Sequence, residues 1–380
     1  IAQSKNRETK AEGMGWELFL NYKITRDKCR PDFFLYENNK SMSPAIKQQI
    51  TDELGVEPIL INSALVSAQS RQRLYWVGKK NSDGSYSTVK IDQPTDKGIV
   101  LRDIFDDAFS QNEKGYAFSA DYYKHLSEKE MEYMLRNVKD GRNHFDFEYF
   151  QDGTRDKARC ITANIHKGVP YNVLAEPVRI GTIESKAQNK DFDSQQYRVY
   201  SPDAKSVTLC GQGGGVGAKT GLYAAPTADN NTTYPIYKVK DSLITIKGEK
   251  YPIKLADGSY IIRKLTVSEC KRLQTIPDSY VFPVSNSQAY KMIGNGWTCD
   301  VISHIMSHFD GISTEPVEVL SMYDGMSCGR IALQNLGANV ERYFAYEIDK
   351  YAIKTTQYNY PDTIQCGDAF QVREDGWKIK

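Results

Sequence analysis

Val317-Glu-Val-Leu-Ser-Met322 is a short apolar run after Pro316, and it reads as a buried strand. Gly325 and Gly329 follow. Arg330-Ile-Ala-Leu-Gln-Asn-Leu336 then carries helical spacing and stops at Gly337, a residue suited to the left-handed end of a helix. Arg342-Tyr-Phe-Ala-Tyr346 predicts a second strand, with Glu347 at its carboxyl end. Strand, glycine turn, helix, strand, acid is the first half of a nucleotide-binding βαβ unit, and it constrains the chain more than any other stretch. Asp368, in Cys366-Gly-Asp-Ala369, closes a third apolar stretch. Two acids after successive strands suit the ribose hydroxyls and the exocyclic amine of an adenosine. The glycine spacing is not G-x-G-x-x-G, and no phosphate-gripping lysine loop is present. The expected ligand is therefore an adenosine without phosphates, S-adenosyl-L-methionine. The glycines alone leave an ordinary tight turn of an α/β sheet as the alternative.

At 380 residues the chain has room for two domains. Its net charge of +1 announces no global basic field, so a nucleic-acid surface has to be local. The 7 cysteines, at 29, 160, 210, 270, 299, 328 and 366, form no C-x-x-C pair and no zinc spacing. They read as reduced, mostly buried thiols of an intracellular protein. No apolar run reaches transmembrane length and no signal peptide is visible, so no membrane partner is expected. The chain opens on Ile1 rather than Met, which leads us to expect a clipped or processed product, or part of a longer one.

Taken in order, Trp16 to Ile24 predicts an amphipathic helix. Pro31 to Glu37 predicts a buried strand ending in a carboxylate, with Asn38 and Asn39 making the turn after it. Open α/β sheets bind ligands outside the carboxyl ends of their strands, so Glu37 is placed like a working residue; a solvated turn acid is the alternative. Pro44 to Leu54 predicts a helix with Ser43 before it and Gly55 after it. Gln69, Arg71 and Arg73 alternate before a strand at Leu74–Val77, and in extended chain they project to one side. Three long donors aimed one way suit phosphate or base contact; a solvated sheet face is the alternative.

From about Leu101 to Ile262 the composition turns tyrosine-rich and charged, with many short strands and turns. This predicts a smaller, irregular β-rich domain. The expected divisions are 1–100, 101–262 and 263–380. Lys157 to Ala163 and Lys205 to Gly211 resemble each other, and the second leads into a loop containing Gly213, Gly214, Gly215 and Lys219. So much glycine suits close approach to a polymer backbone. Lys238 to Arg272 holds nine basic and four acidic residues, a local surplus that favours DNA phosphates. Thr266-Val-Ser-Glu269 is a capping box. Asn295, between two glycines, lies ahead of an apolar-faced helix at Val301–Phe309 and suits a small ligand.

These residues resemble the DNA cytosine-5 methyltransferases, in a bacterial or phage form with restriction-modification associations. Met322-Tyr-Asp-Gly-Met-Ser-Cys-Gly329 is similar to the family's first cofactor motif, Glu347-Ile-Asp349 to its second, and Gly367-Asp-Ala369 to its third. Tyr36-Glu-Asn-Asn39 resembles Glu-Asn-Val, with Asn39 in place of valine. Gln69-Ser-Arg-Gln-Arg73 is the whole Gln-x-Arg-x-Arg pattern. Arg263-Lys-Leu-Thr266 and Gln288 to Trp297 resemble the last two motifs, and the glycine loop with Thr208 resembles the target-recognition domain.

The resemblance implies a Rossmann-like methyltransferase sheet. In it Tyr323, Asp324, Gly325, Met326, Glu347, Ile348, Asp368, Ala369 and Asn295 bind the cofactor. Glu37 meets cytosine N3 and Arg73 meets O2, with Arg71 and Gln69 supporting. Thr208, Gly213, Gly214, Gly215 and Lys219 face double-stranded DNA in the cytoplasm of a bacterial or phage-infected cell. Two departures stand out. The motif order is circularly permuted, with the cofactor motifs last. The family's Pro-Cys nucleophile is absent, since none of the seven cysteines follows a proline. The expectation is a DNA (cytosine-5-)-methyltransferase whose nucleophile segment lies on an extension or a second chain. A non-catalytic DNA-binding relative is the runner-up, and an RNA or small-molecule methyltransferase is the third reading.

Overall fold

The computed structural model describes residues 10–104 and 265–379 and, between them, 179–182, 198–200, 206, 222–226, 236–246, 249–252 and 256–263. Helix α1 (Met14–Cys29) leads into strand β1 (Phe33–Asn39). The strand continues through Asn38 and Asn39, so the turn comes one step later than the paired asparagines predicted. Helix α2 (Pro44–Leu54) starts on Pro44 and ends at Gly55, whose φ of 71° needs a residue without a Cβ. Strands β2 (Pro58–Asn62), β3 (Gln72–Lys80) and β4 (Tyr86–Thr88) complete the first sheet. β3 lies antiparallel between β1 and β2, and β4 pairs with its far end.

The second sheet has seven strands: β5 (Arg179–Thr182), β6 (Arg198–Tyr200), β7 (Leu222–Pro226), β8 (Tyr237–Lys240), β9 (Leu243–Ile246), β10 (Glu249–Pro252) and β11 (Gly258–Arg263). Their order is β10-β9-β8-β11-β7-β6-β5. On β8, Tyr237 and Val239 are buried while Lys238 and Lys240 are exposed, the alternation of a half-solvated strand.

Helix α3 (Val267–Leu273) opens with the predicted capping box. Thr266 accepts from the Glu269 backbone, and Glu269 accepts from that of Thr266. Helices α4 (Asn286–Asn295) and α5 (Cys299–Met306) follow; Asn295 is thus the last residue of a helix. The third sheet is parallel and runs β12 (Pro316–Met322), β13 (Asn339–Tyr346) and β14 (Ile364–Gly367), with α6 (Cys328–Asn335) and α7 (Lys350–Asn359) as crossovers. This is the βαβ half-unit that the opening stretch predicted.

The α/β class holds, but the methyltransferase sheet expected as one stands as two. Among the described residues β1 pairs only with β3, and β12 only with β13. Two helices hold the pieces together. On α5, Val301, Ile302 and Ile305 pack with Ile61, Tyr75 and Val77 of the first sheet and with Ala332 of α6. On α1, Trp16 and Phe19 pack with Phe34 and Trp76, while Ile24 lies against Phe344 and Tyr346 of the third sheet. Burying side chains of this size contributes about 1.5–3 kcal/mol each.

Candidate active site

Glu37 stands near the carboxyl end of β1. Its cross-strand partner is Tyr75, and Arg73 faces Asn39, two residues along, so Glu37 and Arg73 are diagonal neighbours on one face. Arg73 Nε lies 3.0 Å from Glu37 Oε1. The Arg73 side chain is 7 % exposed and that of Glu37 18 %, so the carboxyl remains reachable while the guanidinium behind it is buried. The other carboxyl oxygen, Oε2, accepts from Trp297 Nε1 at 3.3 Å. Trp297 is a contact the sequence reading did not single out, because nothing local in the sequence places it opposite β1.

Gln69 and Arg71 sit differently from the one-sided projection that their alternation predicted. Gln69 Nε2 donates to Leu273 O at 3.2 Å and to Gln274 Oε1 at 3.3 Å. Arg71 donates through Nη1 to Gly294 O at 3.3 Å and through Nη2 to Gly296 O at 3.1 Å. Both side chains hold the ends of α3 and α4, where the last carbonyls have no partner within the helix. The segment also meets a residue far along the chain: Ser206 N donates to Ala68 O at 2.7 Å, and Gln69 and Ser206 form a parallel bridge.

The residues expected to hold the cofactor, Asn295 apart, fall at the carboxyl ends of β12, β13 and β14. Between Met322 and Cys328 the chain makes a turn in which Tyr323, Gly325 and Ser327 each have a φ of 61°. Left-handed backbone at non-glycine residues costs on the order of 1–3 kcal/mol and marks functional turns. Glu347 ties this turn to its own loop through three backbone amides, one from the turn and two from the residues that follow Glu347 itself. Its Oε2 accepts from Gly325 N at 2.8 Å, and its Oε1 from Ile348 N and Asp349 N at 2.7 Å each. Asp324 lies inside the turn, accepting from Tyr343 OH at 2.8 Å and from Ser327 Oγ. Burial raises the Asp324 carboxyl above the usual range against those hydrogen bonds. Met326 and Ala369 are buried in the core. Asp368, exposed, caps the turn after β14 by accepting from Phe370 N at 2.9 Å.

Asn295 ends α4. Lys291, one turn earlier on the same face of α4, bonds Asp349 Oδ2 at 2.7 Å. Thr208, Gly213, Gly214, Gly215, Lys219 and the Lys157–Ala163 repeat lie outside the described residues. In the basic stretch, Lys271 donates to Asp278 O and Tyr280 O, and Arg272 pairs with Asp278. Those two cations therefore work inside the fold, while Lys238, Lys240 and Lys250 are exposed.

The residues fit an adenosine-bearing methyl donor. Tyr323, Ile348 and Phe370, one after each strand of the third sheet, are 40 %, 72 % and 36 % exposed. Large apolar side chains bared beside two carboxylates suit the faces and edges of a purine nucleoside. Trp297, beside Glu37, also lies against the helix that follows the β12 turn: a Cβ on Gly329, at the start of α6, would lie 3.6 Å from the indole ring.

The chain belongs to the C-5 cytosine-specific DNA methylase family, whose model matches residues 1–310. The match ends before Val317, so the cofactor segment is read from its own geometry. The family's methyl donor is S-adenosyl-L-methionine. Type II methyltransferase M.HhaI of Haemophilus parahaemolyticus is 30 % identical over 128 residues, 34 % of this chain and 27 % of its own length. Type II methyltransferase M.Sau3AI of Staphylococcus aureus is 23 % identical over 334 residues, 83 % of this chain and 76 % of its own. Among solved structures, the Entamoeba histolytica methyltransferase EhMeth aligns with a TM-score of 0.37 at 13 % identity, covering 73 % of this chain and 62 % of that one.

Proposed function

We propose that this protein is a DNA (cytosine-5-)-methyltransferase that acts on a cytosine turned out of duplex DNA, in the cytoplasm of a bacterial or phage-infected cell. The Glu37–Arg73 pair, joined through Trp297 to the cofactor turn, carries the reading. Addition of a thiolate to C6 of cytosine puts negative charge on the ring. A carboxyl at N3 and a guanidinium at O2 stabilise that charge, and a positioned acid contributes about 10²–10⁴-fold. Tyr323, Gly325, Glu347, Ile348, Asp368 and Asn295 would hold S-adenosyl-L-methionine, which would supply the electrophilic methyl group for C5. Loss of the C5 proton and expulsion of the thiolate then restore the ring. Turning the base out of the stack costs on the order of a few kcal/mol. Lys238, Lys240 and Lys250 are exposed, and they are the candidates for contact with the duplex phosphates.

The nucleophile is supplied by a Pro-Cys segment outside these 380 residues, on the same or a second chain, and the motif order is a circular permutation. Among the described cysteines, Cys270, Cys299, Cys328 and Cys366 are buried. Burial raises the Cys29 thiol, and the contact with Cys328, followed by burial, raises that of Cys299. Raised, shielded thiols are poor nucleophiles. A non-catalytic DNA-binding relative is the second reading, favoured by the lack of a Pro-Cys dipeptide. Methyl transfer to mixed-sequence duplex DNA separates them. The 380 residues alone give none, and the same chain supplied with a Pro-Cys segment gives turnover; robust turnover without that segment overturns the reading.

A further inference from the structure

We infer that Trp297 is a positioning residue for Glu37 and ties the cofactor turn to the base pocket. This rests on Glu37 being the carboxyl that meets the base. The indole does two jobs from opposite parts of its ring system. Its Nε1–H donates to Glu37 Oε2 at 3.3 Å, while Arg73 Nε holds Oε1 at 3.0 Å. A carboxyl gripped at both oxygens by groups from different elements cannot rotate about its last bond, so its remaining lone-pair directions point one way. The ring also packs among the core residues under α5 and α6, and a Cβ on Gly329 would come to 3.6 Å from it. That distance is ordinary van der Waals contact, so the ring lies directly against the first turn of α6.

Support for the indole comes from the Gln-x-Arg-x-Arg segment itself. Arg71 holds the carbonyls of Gly294 and Gly296, immediately before Trp297, and Gln274 Nε2 holds Ile293 O and Gly296 O. Arg71 and Arg73, two residues apart, thus fix the two partners of one hydrogen bond: the backbone that carries Trp297, and Glu37. The pattern needs both arginines because both ends of that contact have to be placed.

The test uses the 380-residue protein labelled with ¹⁵N at its tryptophan indoles. Its 4 tryptophans give four indole resonances, and Trp297→Phe removes the one of interest. If Trp297→Phe does not fold, nuclear Overhauser contacts to Gly329 assign the same resonance in the native protein. In Glu37→Gln the Trp297 proton moves upfield, because a neutral amide is a weaker acceptor than a carboxylate, while the other three stay put. Addition of S-adenosylhomocysteine shifts the same resonance. An indole resonance that ignores Glu37→Gln, or ignores the nucleoside, overturns the inference. In the enzyme completed with a Pro-Cys segment, Trp297→Phe lowers kcat about tenfold or more with the DNA KM little changed; an unchanged kcat also overturns it. Absence of all methyl transfer together with a responsive resonance would sink the functional reading and leave the contact standing.

Discussion

Arg73 Nε sits 3.0 Å from Glu37 Oε1 on one face of the first sheet, with the arginine buried and the carboxyl still open to a ligand. A buried pair of this kind is poor evidence of stabilisation in itself, because desolvation offsets the attraction. It is good evidence of placement. In the enzyme completed with a Pro-Cys segment, Glu37→Gln and Arg73→Lys are each expected to lower methyl transfer by about 10²–10⁴-fold with folding retained. Incorporation of labelled methyl into DNA, beside circular dichroism, measures both.

Arg71 is expected to show a different signature. Its guanidinium donates to Gly294 O and Gly296 O; Gly296 O keeps Gln274 Nε2, so Arg71→Ala strands the Gly294 carbonyl and should cost about 1–3 kcal/mol of stability. A urea titration reads this directly. Loss of activity without loss of stability would argue that Arg71 meets the substrate instead.

Glu347 is expected to govern the nucleoside edge. It gathers the Gly325 amide of the turn and the Ile348 and Asp349 amides of its own loop, and Glu347→Ala releases all three. S-adenosylhomocysteine affinity should fall tenfold or more, about 1.4 kcal/mol, by calorimetry. Glu347→Gln, which retains one acceptor oxygen, should lie between.

Asp349 carries the pH dependence. Its bond to Lys291, then its backbone hydrogen bonds, hold the carboxyl below the usual range against partial burial. A depressed carboxylate stabilises the fold above the unfolded-state pKa, and that contribution is lost as pH falls through the folded one. The side chains of Lys291 and Asp349 are 44 % and 29 % exposed, so the solvent-screened pair contributes about 0.2–1 kcal/mol. The stability gap between the native protein and Lys291→Met should therefore close as pH drops through and below the carboxylate range. A gap that persists in acid would contradict the assignment.

Much of this was legible in the residues, where a local rule decides. Gly55 ends α2, Thr266 and Glu269 cap α3, and the strand–turn–helix–strand at β12 to β13 forms as its pattern dictates. Glu37, Glu347 and Asp368 fall at strand ends for the same reason. What escaped was the direction of long side chains. Gln69 and Arg71 turn toward carbonyls some two hundred residues away in sequence, and Asp324 turns inward to Tyr343. Alternation says which residues share a face and says nothing of what lies against it. Trp297 was missed for that reason: its partner is 260 residues distant. The single sheet expected stands as two because β1 and β12 each find a neighbour on one side only among the described residues.

The central claim is that the nucleoside edge at Glu347 and the Glu37–Arg73 pocket together methylate carbon 5 of cytosine. Its most direct measurement is the chain completed with a Pro-Cys segment, incubated with S-adenosyl-L-methionine and mixed-sequence duplex DNA, the DNA then digested to nucleosides for mass spectrometry. 5-Methyldeoxycytidine that disappears in Glu37→Gln is the predicted result. N4-methyldeoxycytidine, N6-methyldeoxyadenosine, or no methylated nucleoside at all would contradict it.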